Sequence, residues 1–300
     1  MDNIRIGTRS SKLAVWQAKK VQEKLKEINI SSTIVQINSS GDKDLSKPIY
    51  ELGITGVFTK EIDIALINKE VDIAVHSLKD VPTALPKGIV QSAVLKRGSE
   101  KDVIIINKDL LKLNNTVATG SLRRKAQWLN KYKSDKIVDI RGNVGTRLKK
   151  LKESNWRGTI MAKAGLERLN LLPLNYIDLE WMIPAPAQGA ISVQNLAKNS
   201  LITKMLNKIT HSETEMCTNI ERTFLKKLEG GCSAPIGAHA KVVDGCIEFC
   251  GVILSVDGKS KIEVKGVEKI ENNLNIGEKF AKKIISLGGN RILDSLKNEV

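Results

Sequence analysis

Residues 71–82 read VDIAVHSLKDVP, an apolar run followed by a lysine, an aspartate and a proline. The run at 71–77 predicts a buried strand, and the proline predicts a loop beyond it. Lys79 and Asp80 are then expected at the strand end, where open α/β sheets bind ligands. A carboxylate beside a lysine there can stay ionised, stabilise a developing cation or move a proton; an exposed turn with a local ion pair is the alternative. His76 is expected to be structural.

Predicted strands and helices alternate around this stretch. Before it, residues 4–7 and 32–38 are predicted strands, and between them apolar residues recur at helical spacing from Leu13 to Ile28. A second unit of the same kind starts near Asp102 with the apolar run DVIIIN. This alternation predicts an α/β architecture with a mostly parallel sheet.

The pattern changes after His211. One long helix at 212–229 precedes three predicted strands and a helix, at 236–243, 246–255, 260–266 and 274–288. This order predicts a separate C-terminal α+β domain.

The composition is that of a globular protein, with 41% hydrophobic and 27% charged residues. No apolar run approaches the roughly 20 residues of a membrane span, so no membrane partner is expected. The opening MDNIRIGTRS has no apolar secretory core, which favours a cytoplasmic protein.

The four cysteines, at 217, 232, 246 and 250, do not resemble a disulfide framework in a chain of this length. Cys246 and Cys250 should share one face of a predicted strand. The chain has only three histidines, and none has ligand spacing to a cysteine pair. No metal is therefore expected.

The net charge of +15 is concentrated in the middle of the chain. Residues 121–152 hold eleven Lys and Arg against two Asp, and six of the eleven arginines lie between 123 and 168. Clustered arginine in a lysine-rich chain indicates an anionic partner, because the planar guanidinium group binds carboxylate or phosphate in a bidentate way. A nucleic-acid binder is an alternative, but 4% aromatic residues and no known nucleic-acid motif argue against nucleic acid.

Three junctions join a strand end to a helix start and contain arginine: GTRSSK (7–12), ATGSLRRK (118–125) and DIRGNVGTR (139–147). A helix N-terminus presents free N–H groups that suit bound anions, although capped helices are common. Three such junctions predict a ligand with several anionic groups. None of them is a Walker motif, which argues against a nucleotide triphosphate.

Cys232 lies in the stretch EGGCSAPIGAHA, residues 229–240. Backbone that needs two glycines bends sharply or approaches something closely. From the residues alone, this cysteine could fill a core, hold a metal or react with a substrate.

Seven motifs occur in the order found in the porphobilinogen deaminase (hydroxymethylbilane synthase) family, which this sequence resembles. They are TRSSKLAVWQA, DIAVHSLKDVP, GSLRR, RGNVGTRL, AGLERL, AQGA and EGGCSAPIG, and they run from Thr8 to Gly237. The resemblance implies a fold of two periplasmic-binding-protein-like α/β lobes around a cleft plus a small C-terminal α+β domain. The implied boundaries are 1–98 with 189–208, 99–188, and 209–300.

The resemblance also implies an activity in tetrapyrrole (haem) biosynthesis. The family condenses four porphobilinogen molecules head to tail into hydroxymethylbilane and releases one ammonia from each. It does so on a covalent dipyrromethane cofactor, which a thioether would join to Cys232. Loss of ammonia gives a soft electrophile that a thiolate captures well. The implied partners are porphobilinogen and a uroporphyrinogen-III synthase that takes the product, and the chain is expected to be a monomer.

By matching motif positions, the resemblance implies a role for each of thirteen residues. Asp80 would be catalytic and Cys232 would carry the cofactor. The other cofactor-binding residues would be Lys79, Thr119, Ser121, Arg123, Arg124 and Arg147. The substrate-binding residues would be Arg9, Ser11, Gln17, Arg141 and Arg168. Arg157 matches no motif and is expected at the surface.

Three positions depart from the family pattern: Thr55 replaces a common lysine, Gly120 a common serine and Ala187 a common glycine. They put ligand affinity and loop behaviour in doubt, but not the reaction class. A non-enzymatic anion-binding protein is the rival hypothesis, and it would need neither Asp80 nor a reactive Cys232.

Overall fold

A computed structural model of the protein describes residues 3–38, 59–107, 114–228 and 234–298. The described residues form two compact units. The first falls within 1–44, 54–98 and 189–216, and the second within 99–188 and 217–300. No helix among them is long and apolar enough to cross a membrane. Thr55 and Cys232 lie outside the described residues.

Thirteen strands and nine helices are described. The strands are β1 (Ile4–Arg9), β2 (Ser32–Ile37), β3 (Ile73–Ser77), β4 (Ile89–Val94), β5 (Asp102–Ile106), β6 (Thr116–Ala118), β7 (Lys136–Val138), β8 (Gly158–Ala162), β9 (Tyr176–Asp178), β10 (Ile191–Leu196), β11 (Ile236–Val243), β12 (Cys246–Leu254) and β13 (Lys261–Lys269). The helices are α1 (Lys12–Glu27), α2 (Lys60–Ile67), α3 (Leu122–Lys131), α4 (Val144–Glu153), α5 (Lys163–Arg168), α6 (Ser200–Asn207), α7 (Ser212–Lys227), α8 (Asn273–Ile284) and α9 (Asn290–Asn298). Short 3₁₀ turns at Leu78–Asp80 and Ile270–Asn272 and a π turn at Ile285–Gly289 complete the elements.

The first unit is built on a five-stranded sheet in the order β2-β1-β3-β10-β4. β1 is parallel to β2 and β3, whereas β10 runs antiparallel between β3 and β4. Helix α1 packs on one face because its apolar stripe, including Val21 and Leu25, is buried against Ile6 and Val193. The parallel strands place their carboxyl ends at one edge of this sheet.

The second unit contains a five-stranded sheet in the order β7-β6-β8-β5-β9. β6 is parallel to β7 and β8, and β5 is antiparallel to β8 and β9. All five residues of β5 are buried. Ile104 packs with Trp128 on one face, whereas Val103 packs with Leu151 and Leu166 on the other. A strand covered on both faces explains the unbroken apolar run in the sequence.

The C-terminal part of the second unit is an antiparallel sheet in the order β11-β12-β13. On its inner face, the ring of Phe249 packs against the rings of Phe224 and Phe280, with centroid distances of 5.2 Å and 4.7 Å. On the outer face, Val252 and Leu254 pack with two residues of the α/β part, Ala126 and Ile183.

The predicted fold class is confirmed, because the chain forms two α/β parts and a small C-terminal α+β part. The expectation of a mostly parallel sheet is wrong: two of the four strand pairings in each five-stranded sheet are antiparallel, because β10 and β5 run against their neighbours. The predicted three-domain boundaries stay a prediction. Contacts group the C-terminal sheet with the second α/β sheet in one unit. Cys246 and Cys250 lie at alternating positions of β12, on the same outer face as Val252 and Leu254. No cluster of three metal-ligand side chains occurs among the described residues.

Candidate active site

The carboxyl ends of β1 and β3 form the edge of a small cavity in the first unit. β1 ends at Arg9, and Ser11 then caps α1 by accepting a hydrogen bond from the Ala14 N–H at 3.3 Å. β3 ends at Ser77, and the turn Leu78–Asp80 follows it directly. The cavity has a volume of about 70 Å³. Its lining includes Arg9, Ser11, Gln17, Thr59, His76, Ser77 and Asp80.

Four residues that the sequence assigned to catalysis or substrate binding therefore meet at one cavity: Asp80, Arg9, Ser11 and Gln17. Thr59 is the residue before the first turn of α2, so two helix N-termini point toward this site. The partial positive charge of both helix ends and the Arg9 guanidinium suit an anionic ligand.

Gln17 is a buried polar residue on the apolar stripe of α1. Its Nε2 donates a hydrogen bond to Ser77 Oγ at 2.7 Å and so ties the helix to the end of β3. A polar residue in step with Ala14, Ala18 and Val21 is the sequence signal for this role.

The turn that carries Asp80 is fixed by its neighbours. Leu78 is fully buried and donates its N–H to the Ala190 carbonyl at 3.0 Å, and Val81 is also buried. Lys79 and Asp80 stay partly exposed between these two anchors. The Asp80 carboxylate makes no hydrogen bond or ion pair within the part of the chain that the structure describes. An unpaired carboxylate at a cavity can interact with positive charge on a ligand.

Two of the three predicted cofactor arginines of the second unit, Arg123 and Arg124, are buried and share one carboxylate, Asp102. Arg123 Nη1 lies 2.7 Å from Asp102 Oδ2, and Arg124 Nη2 lies 2.8 Å from Asp102 Oδ1. Gln188 Nε2 also donates to Asp102 Oδ1, at 3.0 Å. Burial on its own would raise the pKa of Asp102, but Arg123 and Arg124 outweigh it and lower the pKa to about 2. The carboxylate is therefore ionised at neutral pH.

Further backbone contacts orient these guanidinium groups. Arg123 Nη1 also donates to the Ile183 carbonyl at 2.8 Å, and Arg124 Nη1 donates to the Ile160 carbonyl at 3.1 Å. Sequence reasoning missed Asp102. Its signal was an acidic residue at the first position of an apolar strand, in a chain that contains an arginine cluster.

The helix N-termini of the second unit carry the other predicted groups. Ser121 caps α3 by accepting from the Arg124 N–H at 3.5 Å, and the Ser121 N–H donates to Thr119 Oγ1 at 3.3 Å. Asn143 caps α4 by accepting from the Thr146 N–H at 3.0 Å. Because β6 and β7 are parallel neighbours, both helix starts lie at the same edge of the sheet.

Arg141, Arg147 and Arg168 occupy three different settings in this unit. Arg141 is buried directly after Ile140, and Arg147 Nε donates to the Gly142 carbonyl at 2.7 Å. Burial lowers the pKa of Arg168 to about 10, which leaves it cationic at neutral pH. Arg157, expected at the surface, is instead partly buried and pairs with Asp135.

The described residues that follow Cys232 pack against the segment of the second unit that contains Ile183 and Pro184. A Cβ atom at Gly237 would lie 2.7 Å from the Ile183 carbonyl, and the Ala238 N–H donates to the Pro184 carbonyl at 3.0 Å. Glu221, fully buried on α7, accepts from the N–H groups of Ala187 at 2.6 Å and Ala240 at 2.9 Å. Sequence reasoning missed Glu221, an acid in step with the apolar stripe of its helix.

Fold and cavity together define an α/β protein whose strand edges carry helix N-termini and arginines, with the Asp80 carboxylate at one of these edges. The family model described as "Porphobilinogen deaminase, dipyromethane cofactor binding domain" matches residues 4–204. The model described as "Porphobilinogen deaminase, C-terminal domain" matches residues 215–286. The chain belongs to the porphobilinogen deaminase family. The resemblance predicted from the motifs is confirmed, and so is the predicted dipyrromethane cofactor, for which the matched domain is named.

Curated relatives match over nearly the whole chain. The porphobilinogen deaminase of Desulforamulus reducens is 38% identical over 303 residues, which cover 98% of this chain and 98% of the relative. That of Macrococcus caseolyticus is 37% identical over 309 residues and covers 100% of both.

Among solved structures, the chain is similar to two-lobed binding domains at low identity. The periplasmic VFT2 domain of Bordetella pertussis BvgS is 12% identical with a TM-score of 0.43, over 69% of this chain and 86% of that one. An ancestral cationic amino acid solute binding protein is 12% identical with a TM-score of 0.45, over 69% and 87%.

Proposed function

We propose that this chain condenses four porphobilinogen molecules head to tail into hydroxymethylbilane, with Asp80 as the catalytic residue. The observation that carries the proposal is the cavity of the first unit, where Asp80 lies with Arg9, Ser11 and Gln17. This arrangement offers what the reaction needs: cationic and N–H donors for the carboxylates of the substrate, and one anionic group for a positive charge that develops on it.

Asp80 has the position and the charge for this role. Its turn is anchored by buried Leu78 and Val81, so the carboxylate is preorganised rather than free to move away from a cation. The same carboxylate can accept a proton or hold one during loss of the substrate amine. Arg9 and the two helix N-termini would bind substrate carboxylates beside it.

The donor set of the second unit fits a polycarboxylate such as dipyrromethane. The residues of this unit proposed to hold it are the ones that the sequence assigned: Thr119, Ser121, Arg123, Arg124 and Arg147. Lys79, a residue of the first unit, is the remaining proposed cofactor-binding residue. Ser121 Oγ accepts an N–H at the helix start and keeps its own O–H proton for a ligand. When bound, the group supplies the pyrrole carbon to which the first substrate unit is joined. Arg141 and Arg168 are proposed to bind the incoming units.

Cys232 is the proposed attachment residue. The chemistry supports it, because a thiolate captures the electrophile formed when porphobilinogen loses ammonia. The segment that follows this cysteine is held by Gly237 and Ala238 against the carbonyls of Ile183 and Pro184.

Intact mass and turnover test the proposal together. The parent protein, purified from a host that makes porphobilinogen, should carry a mass surplus of two linked pyrrole units, and Cys232→Ser should lack it. Asp80→Asn should keep the surplus and lose nearly all consumption of porphobilinogen, typically by a factor of about 10² or more. Asp244→Asn is the matched control, since Asp244 lies in a hairpin turn with φ 48°, which asparagine adopts well. Normal turnover of Asp80→Asn would remove the catalytic role.

We further propose that the chain acts as a monomer in the cytoplasm and passes its product to a uroporphyrinogen-III synthase. The three described cysteines, Cys217, Cys246 and Cys250, are free thiols, which fits a reducing compartment. Light scattering of the loaded protein at working concentration tests the monomer, and a dimer mass would refute it.

A further inference from the structure

His76 is a buried polar side chain with an unused nitrogen. It lies on β3 directly opposite Ser192 of β10, and its exposed fraction is 5%. Its Nε2 atom has no hydrogen-bond partner among the residues that the structure describes. Nearly all buried polar atoms in folded proteins are hydrogen-bonded, so this atom needs an explanation. A purely structural histidine, as the sequence suggested, would use both ring nitrogens within the fold.

The same histidine lines the cavity that contains the proposed catalytic residue. Arg9, Gln17 and Asp80 share this cavity with it. A volume of about 70 Å³ admits a small polar group between them. The unused nitrogen therefore belongs to a residue of a site that is built to receive an anionic ligand.

The surroundings decide the charge and the direction of the hydrogen bond. Burial, and then the nearby Arg9 cation, lower the pKa of His76 to about 4, so the imidazole is neutral at neutral pH. A neutral imidazole has one N–H donor and one acceptor. Next to Arg9 and two helix N-termini, the ligand group that arrives is anionic, and an anion accepts hydrogen bonds.

A neutral donor has a specific advantage beside Asp80. A lysine or arginine at position 76 would add a further cation, besides Arg9, to the cavity that Asp80 lines. A neutral imidazole holds a ligand oxygen in place and leaves the negative charge of Asp80 available for the positive charge that develops on the substrate.

We propose that His76 is a substrate-binding residue whose Nε2–H donates a hydrogen bond to a carboxylate oxygen of the pyrrole substrate. This inference rests on the proposed function. It assigns to the neutral histidine the positioning of the substrate, and to Asp80 the electrostatic part of the reaction.

Three variants test it by steady-state kinetics on cofactor-loaded protein. His76→Phe keeps an aromatic ring and removes the donor, whereas His76→Gln restores an amide N–H near the Nε2 position. His239→Phe, in the C-terminal sheet, is the control for an equivalent change elsewhere. We expect KM for porphobilinogen to rise about 10- to 150-fold in His76→Phe, the range for a lost hydrogen bond to a charged group. The change in kcat should be smaller, and His76→Gln should recover most of the loss.

Two results would overturn the inference. One is a His76→Phe protein with a KM within about twofold of the parent. The other is equal impairment of His76→Phe and His76→Gln, which would show that only packing was changed. If the parent itself neither carries the mass surplus nor consumes porphobilinogen, the proposed function fails instead.

A spectroscopic measurement keeps the test valid if His76→Phe does not fold. The chain has three histidines, so the ring N–H signals of ¹⁵N-labelled Asp80→Asn protein are few, and the spectrum of the Asp80→Asn/His76→Gln protein assigns the one from His76. Addition of porphobilinogen should shift the His76 Nε2–H signal and slow its exchange with water. An unchanged signal in protein saturated with porphobilinogen would contradict the proposed hydrogen bond.

Discussion

Asp102→Asn is the substitution that tests the charge balance of the second unit most directly. It replaces a fully buried carboxylate by an amide of nearly the same shape. The two guanidinium groups of Arg123 and Arg124 and the one carboxylate sum to a charge of +1 in the folded protein. The substitution raises that sum to +2 and removes the only anion within the two ion pairs.

The expected loss of stability follows from the contacts. Removing one partner from a buried, hydrogen-bonded ion pair destabilises proteins by about 3–5 kcal/mol. Arg124→Leu should destabilise less, by about 1.5–3 kcal/mol, because the Arg123–Asp102 pair at 2.7 Å stays intact. In the double variant Asp102→Asn/Arg124→Leu, only the Arg123 guanidinium remains charged, so the charge sum returns to +1. We therefore expect its loss to fall below the sum of the single losses by about 1–3 kcal/mol.

Urea unfolding of the parent, both single variants and the double variant at one pH gives these four free energies. Acid unfolding adds a second measure. The pKa of Asp102 is about 2 in the folded state against an ordinary value of 3.8, so its contribution is complete above about pH 4 and disappears as the pH falls toward 2. The double variant should lack this step. Additive losses within about 0.5 kcal/mol, or an Asp102→Asn loss below about 1 kcal/mol, would refute the reasoning.

The same variants separate stability from ligand binding. Asp102 orients two of the three predicted cofactor arginines, Arg123 and Arg124, so Asp102→Asn and Arg124→Leu should lower cofactor loading as measured by intact mass. Asp135→Asn is the matched control, since Asp135 and Arg157 form another partly buried ion pair of this unit and match no family motif. Its stability should fall while its loading stays normal. Equal losses of loading in all three variants would assign the effect to instability alone.

Two further predictions concern close packing and buried acceptors. Gly120→Ser should destabilise the protein by about 1–3 kcal/mol, because a Cβ would lie 2.6 Å from the Ile140 carbonyl oxygen. Gly145→Ala is the contrasting case: its Cβ would meet nothing nearer than 3.6 Å, so the free energy of unfolding should rise by about 0.5–1 kcal/mol. Urea midpoints check both, and a stable Gly120→Ser protein would contradict the packing argument. Glu221→Gln should lower the free energy of unfolding by about 1–3 kcal/mol, because one amide oxygen replaces the two carboxylate oxygens that accept from the N–H groups of Ala187 and Ala240. Unfolding and amide exchange of these two N–H groups measure the loss, and unchanged protection would refute it.

Strong local patterns predicted the fold well, and weak ones did not. The apolar runs of β3 and β5 and the amphipathic pattern of α1 correspond to the described elements. Strand β9 was not predicted, because three residues at Tyr176–Asp178 carry no usable period. The predicted helix at 274–288 is in fact α8 followed by a π turn at Ile285–Gly289, and a further helix, α9, begins after it at Asn290. Gly288, at φ 94°, interrupts the pattern there.

The candidate site was predicted in its residue types but not in its internal partners. Motif positions brought Asp80, Arg9 and Ser11 to one cavity because strand ends and helix starts fix where such residues lie. Asp102 and Glu221 could not be found in the same way, because their partners are distant in sequence and are set only by tertiary packing. The unused nitrogen of His76 likewise depends on which groups β10 and α1 bring close to it, and no spacing along the chain records that.

A comparison of Asp80 with Asp102 supports the proposal that Asp80 is the catalytic carboxylate, although both have arginine nearby. Both oxygens of Asp102 are occupied by guanidinium groups inside the fold, and its pKa of about 2 makes it a poor proton acceptor. It is also fully buried, so no substrate can reach it. Asp80 is partly exposed at a cavity and makes no ion pair with the described residues. Only a carboxylate in this second state can respond to a cation that appears during the reaction. This difference is the physical reason for proposing Asp102 as a framework residue and Asp80 as the catalytic one.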